Sequence, residues 1–253
     1  MEEKYQKQIE REFRTCVEDT ISRIQESDET YRPFHSALLS KEALFWSRFE
    51  RSFSTSFGQR TIERLAEIAA YSNGARDTTR QKETMVRLDK AFFDAVNLHD
   101  EQIRSGDRRN RDWNKALSVV ANSVCTGDIR SIRIISDLYW VDKNGIENFL
   151  SLKTVKPNID QTMVAKKDSL LLKVYKPKCN VYFGLPYNPY GEEKTKYNHK
   201  PPMGIFNFHS DEVVLIGKEM WDTIGGKGCY EEILSIVRQV GEETKTRISD
   251  LLE

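Results

Sequence analysis

The chain has 253 residues, enough for one large domain or for a domain with an appendage. Charged residues make up 31% and hydrophobic residues 38%, as in a globular protein with a strongly charged surface, and the 39 basic residues equal the 39 acidic ones, so net charge favours no class of partner. No apolar run approaches the roughly 18 residues of a membrane span, and the N-terminus is too charged for a signal peptide, so we expect a cytoplasmic protein with no membrane contact.

The first part of the chain is predicted to be helical. Residues 3–26 carry apolar side chains at helical spacing, which indicates one long amphipathic helix. Residues 40–74 contain two further helices: Ser40 is suited to cap the first, Gly58 interrupts the run, and Gly74 ends the second.

Two more helices are predicted further along this part of the chain. Residues 82–98 have an amphipathic pattern, and so does the segment "WNKALSVVANSV". Between them, residues 104–112 form a polar loop with four arginines. We therefore expect an all-α region over residues 1–126, with a role in packing and dimerisation.

The pattern changes after residue 126. The β-branched segment "IRSIRIISDLYWV" predicts a strand, "DKNG" an Asn-Gly hairpin turn, and "IENFLSLKTV" the returning strand. A helix over residues 160–175 follows, then the strands "NVYFGLP" and "DEVVLIG" and two closing helices. Residues 127–253 are therefore predicted to form an α/β domain.

The hairpin carries candidate catalytic residues. Asp137 lies on its first strand, and Ser151 and Lys153 lie on one face of the second, because side chains alternate along a strand. An acid on one strand with a lysine on the next is the layout of PD-(D/E)xK nucleases. Hydrolysis of a phosphodiester requires a positioned water and stabilised phosphate charge, which one or two magnesium ions held by carboxylates supply. We expect Asp137 to bind magnesium and Lys153 to orient the attacking water.

Ser151 departs from the nuclease pattern, because that position is normally an acid. Two other acids are candidates to replace it: Asp168, one helix beyond Lys153, and Glu147, on the same strand face. Glu147 lies four residues from Ser151, roughly 13 Å along an extended strand, so distance favours Asp168. The main-chain carbonyl of Leu152 is a further candidate metal ligand, since a backbone oxygen does not depend on residue type.

Residues beyond the active-site strand are candidates for DNA contact. Lys156 and Asn158 follow Lys153 directly and are suited to phosphates or base edges. The helix after them begins near Asp160, the predicted N-cap, and presents Gln161 on the same face as Asp168. A capped surface loop is the alternative interpretation of this segment.

Two loops are also candidates for DNA contact. The long loop "YNPYGEEKTKYNHK" mixes aromatic side chains with basic ones, and its candidate residues are Tyr187, Asn188 and Tyr190. In the arginine-rich loop, Arg108, Arg109 and Arg111 are candidates to bind phosphates. For both loops a plain solvated turn is the alternative.

Four segments together resemble the TdeIII-type family of type II restriction endonucleases: "IENFLSLKTVKPNIDQT", "VYFGLPYNPYGE", "VVLIGKEMWD" and "GGKGCYEEIL". The resemblance covers roughly residues 130–240 and is weaker in the helical half. It implies a PD-(D/E)xK fold with a mixed sheet flanked by helices. It also implies a magnesium-dependent homodimer that cuts double-stranded DNA at a short palindrome, GGNCC-like, in a host with a cognate methyltransferase.

Three other functions fit parts of the pattern. The chain could be a repair or recombination nuclease of the same fold. The loss of an acid at Ser151 also suits a non-catalytic DNA-binding module, and the helical half suits a regulatory protein whose α/β half is a scaffold. The target sequence, the cut position and the dimer interface do not follow from the residues.

Overall fold

The computed structural model describes residues 1–26, 31–107, 109 and 111–249. The helices are α1 (Glu3–Glu26), α2 (Pro33–Leu38), α3 (Lys41–Ser56), α4 (Ile62–Ser72), α5 (Lys90–Arg104), α6 (Trp113–Ala121), α7 (Ile159–Tyr175), α8 (Lys200–Met203), α9 (Lys218–Gly225) and α10 (Cys229–Ser249). The strands are β1 (Asp77–Asp89), β2 (Ile129–Val141), β3 (Glu147–Leu152), β4 (Asn180–Leu185) and β5 (Val214–Ile216). In the described part of the chain, no helix is both long and apolar enough to span a bilayer.

The five strands form one mixed sheet in the order β1-β2-β3-β4-β5. β1, β2 and β3 are antiparallel neighbours, whereas β3, β4 and β5 run parallel. The parallel step from β3 to β4 needs a crossover, which α7 provides. The predicted class is confirmed: a mixed sheet of restriction-endonuclease type, flanked by helices, with a helical N-terminal region.

Each face of the sheet is covered by its own set of helices. On one face, which we call the α7 face, side chains of α5, α6 and α7 pack against Ile134, Phe149 and Phe183. On the other, the α4 face, side chains of α1, α4, α9 and α10 pack against Leu138 and Leu150. The sheet therefore lies between two apolar layers, and polar groups inside it must find partners there.

The helix predicted over residues 82–98 is wrong in its first half. Residues 77–89 form β1, which pairs with β2 along its whole length, and the helix begins only at Lys90. The local pattern of good helix formers loses to this long-range pairing, as propensity often does to tertiary context. The Asp89 side chain ends the strand and caps α5 by accepting a hydrogen bond from the Ala91 N–H.

β1 also bears on the predicted division of the chain. It belongs to the segment 1–126, yet it lies in the same sheet as β2 from the segment 127–253. The N-terminal region is therefore not all-α: its helices are interrupted by β1 after Ser72 and resume with α5 and α6. The boundary between residues 126 and 127 stays a prediction.

The alternation of side chains changes along β1 and β2. Thr78 contacts Glu67 of α4 on the α4 face, whereas Val86, of the same parity, is buried on the α7 face. In β2, Leu138 lies on the α4 face and Ile134 on the α7 face. An uninterrupted strand would keep residues of equal parity on one face, so both strands are irregular between these positions.

Gln81 and Asp137 mark this irregularity. The pairing passes from Arg80 opposite Leu138 to Lys82 opposite Ser136, which leaves Gln81 and Asp137 at the same level. Gln81 has a φ of +52°, a left-handed conformation unusual for a residue other than glycine, asparagine or aspartate. Strained backbone of this kind is concentrated at functional sites.

Candidate active site

Asp137 lies where β2 and β3 separate. The two strands are paired from Val141–Glu147 to Leu138–Leu150, and beyond Leu150 the pairing partner of β3 is β4. At this point a side chain of β2 replaces its backbone as the hydrogen-bond acceptor for β3: Asp137 Oδ2 accepts a 2.7 Å hydrogen bond from the Leu152 N–H. A carboxylate that accepts a hydrogen bond from a backbone N–H is held in a fixed place.

Lys153 and Ser151 meet the same carboxylate. The Lys153 Nζ donates to Asp137 Oδ2 at 3.2 Å and to the Leu152 carbonyl at 3.0 Å, and the Ser151 hydroxyl lies 3.4 Å from Oδ2. The Asp137 side chain is only 9% exposed and that of Lys153 is 20% exposed. The structure thus brings together four groups that the sequence placed in the site: Asp137, Ser151, the Leu152 carbonyl and Lys153.

A second acid, Glu63 of α4, approaches Asp137 from the α4 face. The Gln81 amide nitrogen donates to Glu63 Oε1 at 2.7 Å and to Asp137 Oδ1 at 3.3 Å. Both acids are buried, with 5% and 6% of their surface exposed, whereas Gln81 is exposed. Gln81 therefore lies between the two carboxylates and covers them from solvent.

The sequence interpretation missed Glu63, although a signal for it exists. In "TIERLAEIAA" the acid stands among apolar residues, with Ala66 and Ala70 three and seven positions later on the same helical face. An acid within the buried stripe of a helix is expected to have a partner. Its partner residue, Gln81, lies just before the segment wrongly predicted to be helical, so neither β1 nor its pairing with β2 was foreseen.

The site has the donors that a hard divalent cation prefers. The Lys153 ammonium stands between the Asp137 carboxylate and the Leu152 carbonyl, so a positive charge already fits between these oxygens. Glu63 adds a second carboxylate. Within the described residues, no three His, Cys, Asp or Glu side chains are grouped as a metal site. Two carboxylates, a carbonyl and water nevertheless suit magnesium, which keeps several of its waters.

Asp168 lies on α7 and is half-buried. Burial raises the pKa of its carboxyl to about 6, while the positive charges of Lys153 and Lys167 oppose this rise. Asp168 is therefore close enough to Lys153 for their charges to interact. Its role as the replacement for the acid missing at Ser151 is not tested by this arrangement and stays a prediction.

Glu147, the other candidate acid, is bound to Lys176 and Tyr139. It is paired with Val141 in the sheet, and its carboxylate accepts hydrogen bonds from Lys176 at 2.7 and 2.8 Å and from the Tyr139 hydroxyl at 3.1 Å. Asp137 is four residues from Val141 along β2. These contacts give Glu147 a structural partner away from Asp137.

The two segments predicted to contact DNA lie beside each other. The Lys156 ammonium stands 5.6 Å from the centre of the Tyr190 ring, and the Tyr197 hydroxyl donates to the Val155 carbonyl at 2.9 Å. Tyr187 and Tyr190 are 46% and 38% exposed. The loop after β3 and the loop after β4 therefore form one surface at the carboxyl ends of these strands.

Several polar residues of this surface have structural partners. Asn188 bridges its own loop by donating to the Glu193 carbonyl at 2.7 Å and accepting from the Tyr190 N–H at 3.0 Å. Asn158 and Gln161 cap α7 reciprocally, which is a capping box. The N-cap predicted at Asp160 is therefore wrong.

Asp160 instead lies in the first turn of α7, where its carboxylate accepts a 3.0 Å hydrogen bond from Arg104. An acid in the first turn of a helix is favoured by the helix dipole.

The arginine-rich loop is tied to its surroundings. Arg109 pairs with Asp107 at 2.6 Å, and Arg111 donates to the Met203 carbonyl at 3.2 Å. The Arg111 carbonyl accepts a hydrogen bond from the buried Lys166. Arg108 lies outside the described residues. Phosphate binding by these three arginines stays a prediction.

Comparison with known proteins adds an independent finding. Residues 1–241 match the family described as "Type II restriction endonuclease, HinfI". The chain is 29% identical over 233 residues to the type II restriction enzyme HgiCII of Herpetosiphon aurantiacus, covering 89% of this chain and 83% of the relative. It is 28% identical over 233 residues to HgiEI from the same organism, covering 89% and 82%.

Proposed function

The chain belongs to the HinfI family of type II restriction endonucleases and is a site-specific endonuclease for double-stranded DNA, and from this premise we propose that Asp137, Glu63 and Lys153 form its active site. The type II restriction endonuclease expected from the sequence is confirmed at that level. The finer likeness to TdeIII-type enzymes, the PD-(D/E)xK assignment and a GGNCC-like palindrome stay predictions.

One observation carries the proposal: the Asp137 carboxylate contacts Lys153 and the Leu152 N–H at the separation of β2 and β3. Burial of a carboxylate and an ammonium costs desolvation energy that an apolar pair would not cost, and such groups are concentrated at functional sites. Here the pair lies beside a second buried acid and a backbone carbonyl, in a chain whose family cuts phosphodiesters.

Asp137, Glu63 and the Leu152 carbonyl would hold a divalent cation, which we take to be magnesium. When bound, this ion would stabilise negative charge on the phosphate and lower the pKa of a coordinated water. The Gln81 amide occupies the space between the two carboxylates in the structure and would move aside for the ion. Ser151 supports Oδ2 of Asp137 as a hydrogen-bond donor and does not need to ligate the metal.

Lys153 is the group we assign to the attacking water. Its ammonium already touches Asp137 and the Leu152 carbonyl, so a water bound to these oxygens would lie within its reach. It would orient that water and offset charge on the phosphate. Asp168 is the alternative second carboxylate. If it is not a metal ligand, its charge would attract the Lys153 ammonium and help to position it.

The duplex is proposed to lie across the surface formed by Lys156, Tyr187 and Tyr190, beside the active site. The exposed tyrosines and the lysine suit the sugar-phosphate backbone and base edges. Asn158, Gln161, Asn188 and the arginines 108, 109 and 111 remain proposed contacts. We further propose a homodimer on a palindromic site and a host methyltransferase that need not touch this protein.

Cleavage of long duplex DNA tests the function directly. With magnesium, discrete fragments are expected; with excess chelator or with calcium alone, none. Lys153→Ala and Asp137→Asn should reduce cleavage by about 1,000-fold or more, as for removal of a metal ligand or a positioned proton donor, while DNA binding stays within about tenfold. A smear of products would indicate a nonspecific nuclease, and wild-type cleavage by Lys153→Ala would refute the assigned site.

A further inference from the structure

A second polar cleft opens between α1, the end of α3 and the start of α4. It has a volume of about 630 Å³, and four arginines line it: Arg23 of α1, Arg60 between α3 and α4, Arg64 of α4 and Arg80 of β1. Glu12 and Asp19 are the acids of the lining, and the remaining polar groups are mostly serine and threonine hydroxyls. Guanidinium and hydroxyl groups together are the side chains that proteins use for phosphate oxygens.

The arginines of the cleft are of two kinds. Arg64 and Arg80 are held in place by Glu67, at 2.5 and 3.2 Å, and Arg64 also contacts Glu12 at 3.3 Å. Arg60 and Arg23 are exposed. Within the described residues, neither of these two guanidiniums has an ion-pair partner within 4.0 Å. The cleft thus presents two available positive charges beside two fixed ones.

The cleft and the candidate active site share two elements, α4 and β1. Arg80 precedes Gln81 in β1, and Arg64 follows Glu63 in α4, so the elements that form part of the cleft also position Glu63 and Gln81. A scissile phosphate at Asp137 would have neighbouring phosphates on either side, spaced at roughly 7 Å or less along each strand of the duplex. A cleft of positive charge beside this point is therefore suited to the next part of the DNA backbone.

We propose that the cleft between α1, α3 and α4 binds backbone phosphates of the duplex, with Arg60 and Arg23 as the phosphate contacts and the ion-paired Arg64 and Arg80 as a fixed wall beside them. This inference rests on the proposed active site, because it assumes that the scissile phosphate lies at Asp137. It gives the helical region a direct role in holding DNA, in addition to packing.

Salt-dependent binding tests this role without cleavage. A fluorescein-labelled 30-base-pair duplex is titrated with protein in calcium buffer at 50 to 200 mM NaCl, and anisotropy is recorded. Each lost phosphate contact should reduce the slope of log K against log salt by about 0.9. The double variant Arg23→Ala/Arg60→Ala should therefore lose about 1.8 in slope and bind at least tenfold more weakly at 100 mM NaCl. Arg60→Lys should keep most of the slope.

Arg238→Ala is the matched control, because Arg238 is an exposed arginine on α10 outside the cleft; its slope should equal that of wild type. The double variant should raise KM for plasmid cleavage far more than it lowers kcat. If the double variant binds with wild-type affinity and slope, the cleft does not hold DNA, even if wild-type protein cuts and the proposed site stands. If wild type does not cut but the slope falls as expected, the proposed site fails and the cleft is supported.

Discussion

Two helices approach the Asp137–Lys153 pair from opposite faces of the sheet, and each makes a different kind of contact. α4 brings Glu63, which shares the Gln81 amide nitrogen with Asp137. α7 brings Asp168, whose connection to the site is the interaction of its charge with Lys153. The acid farther from Lys153 in the sequence is therefore the one that shares a hydrogen-bond donor with Asp137, which supports our proposal that Glu63 is the second metal ligand.

The two acids differ in whether their oxygens can reach a metal ion bound to Asp137. A magnesium ligand must bring its oxygen within roughly 2.1 Å of the ion, and two oxygens that share one donor nitrogen are already close to that arrangement. Charge interaction extends over longer distances, especially in a partly buried site. We therefore propose that Glu63 of α4 binds the metal, and that Asp168 of α7 acts on the Lys153 ammonium through its charge.

The largest effect that distinguishes the two helices is expected from Glu63→Gln. Removal of the carboxylate while its shape is kept should lower cleavage by about 100-fold or more, since a metal ligand is lost. Initial rates on plasmid DNA with magnesium measure this, and Glu101→Gln, at an exposed acid of α5, is the control, expected to stay within about twofold of wild type. A Glu63→Gln enzyme with wild-type rates would place the metal elsewhere.

Asp168→Asn should have a smaller effect on cleavage, below about tenfold, and a distinct effect on stability. In the folded chain the pKa of Asp168 is raised from 3.8 to about 6, so the folded state favours the protonated form. The stability that this group contributes is complete below 3.8 and is lost as pH rises to about 6.

Above that pH the buried charge lowers stability by up to about 3 kcal/mol. Asp168→Asn should therefore raise Tm at pH 7.5 and leave it unchanged near pH 3.5, as thermal unfolding followed by circular dichroism would show. A loss of cleavage as severe as that of Asp137→Asn would make Asp168 the second ligand.

Gln81 affects stability in two ways: its side-chain amide bridges Glu63 and Asp137, and its backbone is strained. Two substitutions distinguish these effects. Gln81→Ala and Gln81→Gly both remove the bridge, but only glycine adopts a φ of +52° without cost. The glycine variant should therefore be more stable than the alanine variant by about 1 kcal/mol, as measured by urea unfolding. Equal stability of the two would mean that the backbone here is not strained.

The smallest effect is expected from Glu147→Gln. It removes the ion pair with Lys176, a partly exposed contact worth no more than about 1 kcal/mol. Cleavage should stay within about twofold of wild type. A strong loss of activity would mean that the far end of β3 takes part in the reaction.

The sequence predicted the fold better where local pattern and long-range pairing agree. β2 was placed at its observed bounds because β-branched and aromatic residues follow each other along the whole strand, although only its second half is buried. Residues 82–89 of β1 were mistaken for a helix because β1 is an edge strand with polar residues and good helix formers, and β2, its partner in the described sheet, lies about fifty residues later. A local pattern carries little information about such a partner.

The same limit applies to the site. Asp137, Ser151 and Lys153 could be paired from the sequence because one hairpin connects them, and hairpin register follows from a short turn. Glu63 could not be placed, since its position depends on how α4 packs on the sheet and on the irregularity at Gln81. Both depend on tertiary packing rather than on spacing along the chain.

Cation affinity tests the central claim, that the ion is held between Glu63 and Asp137, most directly. Isothermal titration of calcium into the metal-free protein avoids cleavage and reports binding alone. Our account predicts that Glu63→Gln and Asp137→Asn each weaken binding by about tenfold or more, whereas Asp168→Asn stays within about threefold of wild type. Weakened binding in Asp168→Asn with wild-type affinity in Glu63→Gln would contradict it.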